Sequence, residues 1–157
     1  MSMLQHFRLW SLTIALGGLT LTSTMSAASA SSLMAEIGGL RNRNGQLCFS
    51  VFSTSQGFPT NGDNAVQNKC VKITNVSMRV TFKSLSPGNY AIAVLHDENN
   101  DRQANRNFLG LPTEGFGFSR NPAIGVSAPK FSDTAVSVAG ENTTTQIQLR
   151  YSYRHIG

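Results

Sequence analysis

The stretch VTFKSLSPGNYAIAV, residues 80–94, bears most directly on the fold. Its first part alternates, with Val80 and Phe82 set against Thr81 and Lys83, the period-two pattern of a strand with one buried face. Its last part, continued as NYAIAVLH (89–96), is a nearly unbroken apolar run, as expected of a central strand. Between them lies Leu85-Ser86-Pro87-Gly88-Asn89-Tyr90. Pro87 presets one turn position and Gly88 can take positive φ, so a tight reversal is predicted, a hairpin with the Tyr90 ring packed inside.

Working outward, the other segments are also strand-like. LMAEIGGL (33–40) alternates and ends in glycines, and QLCFSVFS (46–53) is short, apolar and rich in β-formers. KCVKI (69–73), MRVTFKSL (78–85) and the alternating FSDTAVSV (131–138) add three more. In TTTQIQLRYSY (143–153), Ile147, Leu149, Tyr151 and Tyr153 share one face, opposite Gln146, Gln148, Arg150 and Ser152. Turn sequences separate these runs: NRNG (42–45), TNGD (60–63), SPGN (86–89) and AGEN (139–142). GDNAVQNKC (62–70) has room for one helical turn. About seven short strands with regular turns predict an all-β, antiparallel, immunoglobulin-like sandwich.

The N-terminus reads differently. Arg8 precedes an apolar stretch from Leu9 to Leu21, and Ala28-Ser29-Ala30 has the small-x-small pattern of a cleavage site. Residues 1–30 are therefore expected to be a secretory signal peptide and 31–157 a single domain. The apolar run is too short and too rich in Gly, Thr and Ser to span a bilayer, which takes about 20 apolar residues. The expected location is periplasmic or extracellular. Setting Arg8 aside leaves twelve basic and eight acidic side chains, a charge of +4. The basic residues are scattered and the chain is exported, which argues against nucleic acid and for mild affinity toward acidic glycans or lipid headgroups. Cys48 and Cys70 are the chain's two cysteines. In an oxidising compartment they are expected to pair, with Cα atoms about 4.4–6.8 Å apart. The bridge would close a loop of roughly 20 residues and contribute about 3 kcal/mol.

Several segments occur together in order: GFP (57–59), LSPGNYAIAVLHDEN (85–99), NFLGLPTEGFGFSRN (107–121), PKFSDTAV (129–136) and IQLRY (147–151). The pattern F-x-x-L-x-P-G-x-Y resembles the hairpin of prealbumin-like sandwich domains. The whole set resembles a secreted bacterial family catalogued as domain of unknown function 2141, over nearly all of the expected mature chain. The pair HDEN and LGLPTEGFGFS carries most of that resemblance and marks His96, Asp97, Glu98, Asn99 and Glu114 as the family-motif site. The resemblance implies an extracytoplasmic, prealbumin-like sandwich and no particular activity. Many members of the family carry DENGNG where this chain has DENNDR (97–102).

The polar run after residue 95 is where a site would lie. Asp97, Asn99 and Asp101 at i, i+2 and i+4, with Asn105 at i+8, match the opening of a calcium loop. Two positions depart from it: Arg102 stands where a glycine makes the sharp turn, and Phe108 where a closing Glu is required. Glu114 or Asp133 would have to supply the missing carboxylate. The competing reading is a polar loop whose Asp and Asn side chains cap their own backbone. His96 with Asp97, Glu98 and Glu114 offers acid–base residues for a small hydrolase. However, adjacent strand residues point to opposite faces, and Ser119 lacks a nucleophile-elbow context. No enzyme is expected, and His96 reads as structural. Phe116 and Phe118 alternate with Gly115 and Gly117, which fits core better than an exposed platform for sugar or peptide. Arg102, Arg106 and Arg120 could hold an anion but fit solvated surface better.

Taken together, these features predict an exported binding or structural module of the cell envelope, with a glycan or protein as partner and no cofactor. A calcium-stabilised version is the alternative. The connection from His96 to Ser119 is expected to be ordered, pinned by burial of Phe108, Leu109, Phe116 and Phe118.

Overall fold

The computed structural model describes residues 30–125 and 127–152. Residues 1–29 of the expected leader and Tyr153 lie outside them. Eight strands form: β1 (Ser31–Gly38), β2 (Gln46–Phe52), β3 (Gln67–Lys72), β4 (Met78–Leu85), β5 (Gly88–Asp97), β6 (Gly115–Phe118), β7 (Val136–Val138) and β8 (Asn142–Gln148). A single 3-10 turn covers Gly62–Asn64, inside the stretch expected to hold one, and a one-turn helix, α1, covers Phe131–Thr134. One sheet has the order β4-β1-β8; the other has β3-β2-β5-β6, with β7 also pairing with β5. The all-β sandwich is therefore present. One pairing is not antiparallel: β1 and β8 run parallel, from Ser32 opposite Asn142 to Gly38 opposite Gln148.

The core lies between the sheets, built from the alternating faces that the sequence predicts. β1 contributes Leu33, Ala35 and Ile37; β2 contributes Leu47, Phe49 and Val51; β5 contributes Tyr90, Ile92 and Val94. Phe49 meets Phe82 of the opposite sheet edge-to-face at 5.7 Å.

The Leu85–Tyr90 turn departs from expectation. β4 and β5 belong to different sheets, so it is a corner between sheets and not a hairpin. Gly88 is not at positive φ; the left-handed residue is Ser84, at φ 60°. The Tyr90 hydroxyl donates back to the Ser86 carbonyl at 2.8 Å, holding the corner while its ring enters the core.

Phe116 and Phe118 also pack differently from a simple core strand. The glycines of β6 face the sandwich: a Cβ on Gly115 would fall 2.3 Å from the Tyr151 ring, and one on Gly117 2.7 Å from Ile147. Phe116 and Phe118 lie on the opposite side of the sheet in a second aromatic cluster, where Phe118 is buried as expected and Phe116 is half-buried. Phe58 is its hub, touching Phe52, Phe118 and Phe131 at 5.3, 6.0 and 6.0 Å. The small faces of Gly115 and Gly117 let the chain beyond β8 approach closely, and Phe116 exchanges two backbone hydrogen bonds with Arg150, at 2.9 and 2.8 Å. FSDTAVSV divides in two: Asp133 accepts from the Lys130 amide at 3.3 Å and turns the first half into α1, leaving only β7 extended.

Cys48 and Cys70 lie directly opposite each other on β2 and β3 and form the expected disulfide. Their Cα atoms are 4.0 Å apart, closer than expected. Among the described residues no helix is long and apolar enough to cross a membrane.

Candidate functional site

The connection from β5 to β6, residues 98–114, has a base and a tip of opposite character. At the end of β5 the strand alternation sends His96 toward the core and Asp97 to the other face of the sheet, and both are fully buried. Asp97 Oδ2 accepts from Gln46 Nε2 at 2.8 Å and from the Arg102 amide at 3.0 Å, and its Oδ1 accepts from the Asp101 amide at 3.1 Å. One carboxylate thereby closes the first turn of the loop. Asn99 Oδ1 shares the Asp101 amide at 3.1 Å, and Asp101 Oδ1 accepts from the Gln103 amide at 2.8 Å. Asp101 Oδ2 takes the side-chain amides of Asn99 and Asn105, at 2.8 and 2.9 Å.

This turn needs two left-handed residues, Asn100 at φ 62° and Arg102 at φ 60°. They stand at the two glycine positions of the DENGNG pattern. Asn tolerates this conformation, whereas Arg102 takes it against its ordinary preference.

Glu114, also buried, joins the two ends of the connection. Its Oε1 accepts from the Glu98 amide at 3.1 Å and its Oε2 from the Asn105 amide at 3.2 Å. Burial raises its pKa, and the two amide bonds only partly offset that.

The core side of the base is equally bonded. His96 Nε2 lies 2.9 Å from the Asn44 carbonyl, which can only accept, so this nitrogen carries the proton. Nδ1 then accepts from the Tyr151 hydroxyl at 2.7 Å, and that hydroxyl accepts from the Arg41 amide at 3.2 Å. The Arg41 guanidinium sits over the Tyr151 ring at 4.5 Å and binds Glu98 through two nitrogens, at 2.7 Å each. The bidentate bond lowers the Glu98 pKa and raises that of Arg41. The core wall raises the Tyr151 pKa by desolvation. The sequence marks Tyr151 only as a strand-face residue and Asn44 only as part of a turn, and gives Arg41 no role; their place in the site depends on partners more than 50 residues away along the chain.

The tip reverses the expected burial. Phe108 is 94% exposed, Leu109 64% and Leu111 44%. Phe108 and Leu109 therefore do not pin the connection; the buried acids Asp97 and Glu114 do. The tip is nonetheless ordered by its own bonds. Arg106 and Pro112 form a bridge, the Asn107 amide donates to the Leu111 carbonyl at 2.9 Å, and Asn107 Oδ1 accepts from the Leu109 and Leu111 amides, each at 3.0 Å. Gly110 turns the chain at φ 75°.

Asp97, Asn99, Asp101 and Asn105 do come together, but the oxygens of the first three accept from loop amides and Asn105 Nδ2 donates to Asp101. Among the described residues no three His, Cys, Asp or Glu side chains converge as a metal-binding group. Asp133 is engaged in α1, away from the loop. His96 and Glu98 come within 3.5 Å, with the ring fully buried. The Ser119 hydroxyl donates to the Thr134 carbonyl at 2.6 Å and accepts from the Ile92 amide at 2.9 Å, so it too is structural. Arg120 reaches the Ala135 carbonyl at 3.3 Å.

Fold and site together define a β-sandwich whose β5–β6 connection is stapled at its base and apolar at its tip. Residues 35–146 match a bacterial family described as an uncharacterized protein conserved in bacteria, domain of unknown function 2141, and the chain belongs to it. No curated protein and no solved structure matches the chain.

Proposed function

We propose that this protein is a non-catalytic binding module of the bacterial cell envelope and that the hairpin at 105–113 is its recognition element. The observation that carries this reading is the exposure of Phe108, Leu109 and Leu111 on a tip whose backbone is held by its own hydrogen bonds. Large apolar side chains grouped at an exposed point mark interaction surfaces. The leader-like N-terminus and the Cys48–Cys70 bridge support an extracytoplasmic setting. Retention of the protein on the isolated envelope fraction tests the proposal. Phe108→Ser with Leu109→Ser is expected to abolish retention without altering the unfolding midpoint, and equal retention of variant and parent would refute it.

The calcium-stabilised reading has one observation in its favour: Arg102 adopts the left-handed turn that a glycine makes in a calcium loop. Binding would raise stability by about 2.7 kcal/mol at a hundredfold excess over Kd. Thermal unfolding with calcium and with chelator separates the two readings. The stapled-loop reading expects one midpoint for both. A calcium-dependent rise abolished by Asp97→Ala or Asp101→Ala would establish the metal.

A further inference from the structure

We propose that the 105–113 tip docks on an anionic lipid bilayer, with Phe108 and Leu109 inserted among the acyl chains and Arg102 and Arg106 among the headgroups. The inference rests on the binding-module reading and names its partner.

Four observations support it. First, the tip is open to solvent at its turn: Phe108 is 94% exposed, and a Cβ added at Gly110 would meet nothing within 4 Å. A protruding apolar point suits a medium that needs no matching pocket. Second, the backbone is prepared for a water-poor layer. Of the five amides from Asn107 to Leu111, four are bonded within the tip: those of Asn107, Leu109, Gly110 and Leu111. Unsatisfied amides are what normally keep loops out of hydrocarbon. Third, the charge has the right sign. From Arg102 to Thr113 the chain carries two arginines and no acid. Of the acids at the base, Asp97 and Glu114 are buried and Glu98 is held by Arg41, while Asp101, exposed beside Arg102, keeps its charge and binds two side-chain amides. Fourth, Arg106 Nη1 donates to the Gly110 carbonyl at 2.9 Å, which places a guanidinium beside the apolar pair and satisfies a tip carbonyl. Aromatic and aliphatic residues inserted beside basic ones form the usual composition of interfacial anchors.

Co-sedimentation with vesicles tests the proposal, using protein isolated from cells expressing the full chain. Vesicles of phosphatidylcholine with phosphatidylglycerol are compared with phosphatidylcholine alone. Binding is expected to the first, weakening with salt as headgroup attraction is screened. Phe108→Ser with Leu109→Ser is expected to lower the partition at least about tenfold, from the apolar burial lost. Arg102→Gln with Arg106→Gln is expected to lower it about tenfold. Unchanged urea midpoints show that the variants remain folded. Trp10 is the chain's one tryptophan and lies in the expected leader, so Phe108→Trp gives a reporter whose emission should shift to the blue on the anionic vesicles. Absence of vesicle binding, or equal binding by parent and tip variant, overturns the lipid assignment. If retention on the envelope fraction still depends on the tip, the partner is a protein or glycan and the binding module survives. If that dependence is also missing, both fall.

Discussion

The base and the tip of the 98–114 connection invert the usual distribution of polar and apolar side chains. At the base, Asp97 and Glu114 are buried and each carboxylate oxygen receives at least one backbone or side-chain donor. At the tip, Phe108 and Leu109 are exposed, while the backbone beneath them is bonded to itself. The difference separates two tasks within one connection. Burying a carboxylate is tolerable only where its hydrogen bonds are complete, so the base specifies geometry. Leaving a phenylalanine in water adds nothing to stability, so the tip is free to serve something outside the fold.

The largest expected effect falls on the base. Asp97→Ala strips the acceptor from Gln46 Nε2 and the Arg102 amide and leaves the Asp101 amide with Asn99 alone. A loss of about 3 kcal/mol is expected, read from urea unfolding. Next comes Tyr151→Phe, which removes the donor to buried His96 and the acceptor for the Arg41 amide. About 2 kcal/mol should be lost. A change below about 0.5 kcal/mol in either variant would mean that the base is not the staple described.

The pH dependence sharpens the same contrast. Glu98 has a lowered pKa because Arg41 binds it, so its contribution is present above the ordinary carboxylate range and is lost as pH falls through the lowered value. Glu98→Gln should flatten that acid limb, costing about 1 kcal/mol at neutral pH for this partly exposed pair. Glu114 acts in the opposite sense. Burial raises its pKa, so its contribution is complete below the ordinary range and is lost as pH rises through the raised value. Glu114→Ala should remove this decline while also releasing two amides. Stability measured against pH for the two variants should therefore differ in slope, and parallel curves would refute the assigned signs. A smaller effect of opposite direction is expected at Arg102→Gly. It relieves a left-handed arginine at φ 60° and should gain up to about 1 kcal/mol in the same unfolding experiment.

Much of the sandwich was legible because it depends on local alternation. β1, β2 and β8 bury the residues that period two selects, and the cysteine pair was legible from the leader-like N-terminus and an even cysteine count. What sequence left hidden depends on partners far along the chain. The turn at Leu85–Tyr90 has the same local signal whether its strands pair with each other or join separate sheets, and only the sheet partners β1 and β2 distinguish these. β6 is four residues with two glycines, too weak a strand signal by itself; Arg150 and β5 supply its ladder. Phe118 is buried away from the main core because Phe58, itself packed on Phe131, arrives there from a distant segment. At the site, the capping roles of Asp97, Asn99 and Asp101 follow from short side chains beside loop amides, as the polar-loop reading holds. The exposure of Phe108 and Leu109 is not legible in the sequence, because burial is the ordinary fate of such residues and nothing local distinguishes a tip that packs back from one left in solvent.

The division between base and tip is tested most directly by the unfolding free energy of Phe108→Ser with Leu109→Ser. If the polar base alone holds the connection, the double variant should remain within about 0.5 kcal/mol of the parent protein. A loss of about 3 kcal/mol or more would show that these side chains are buried in the folded molecule and would contradict the division.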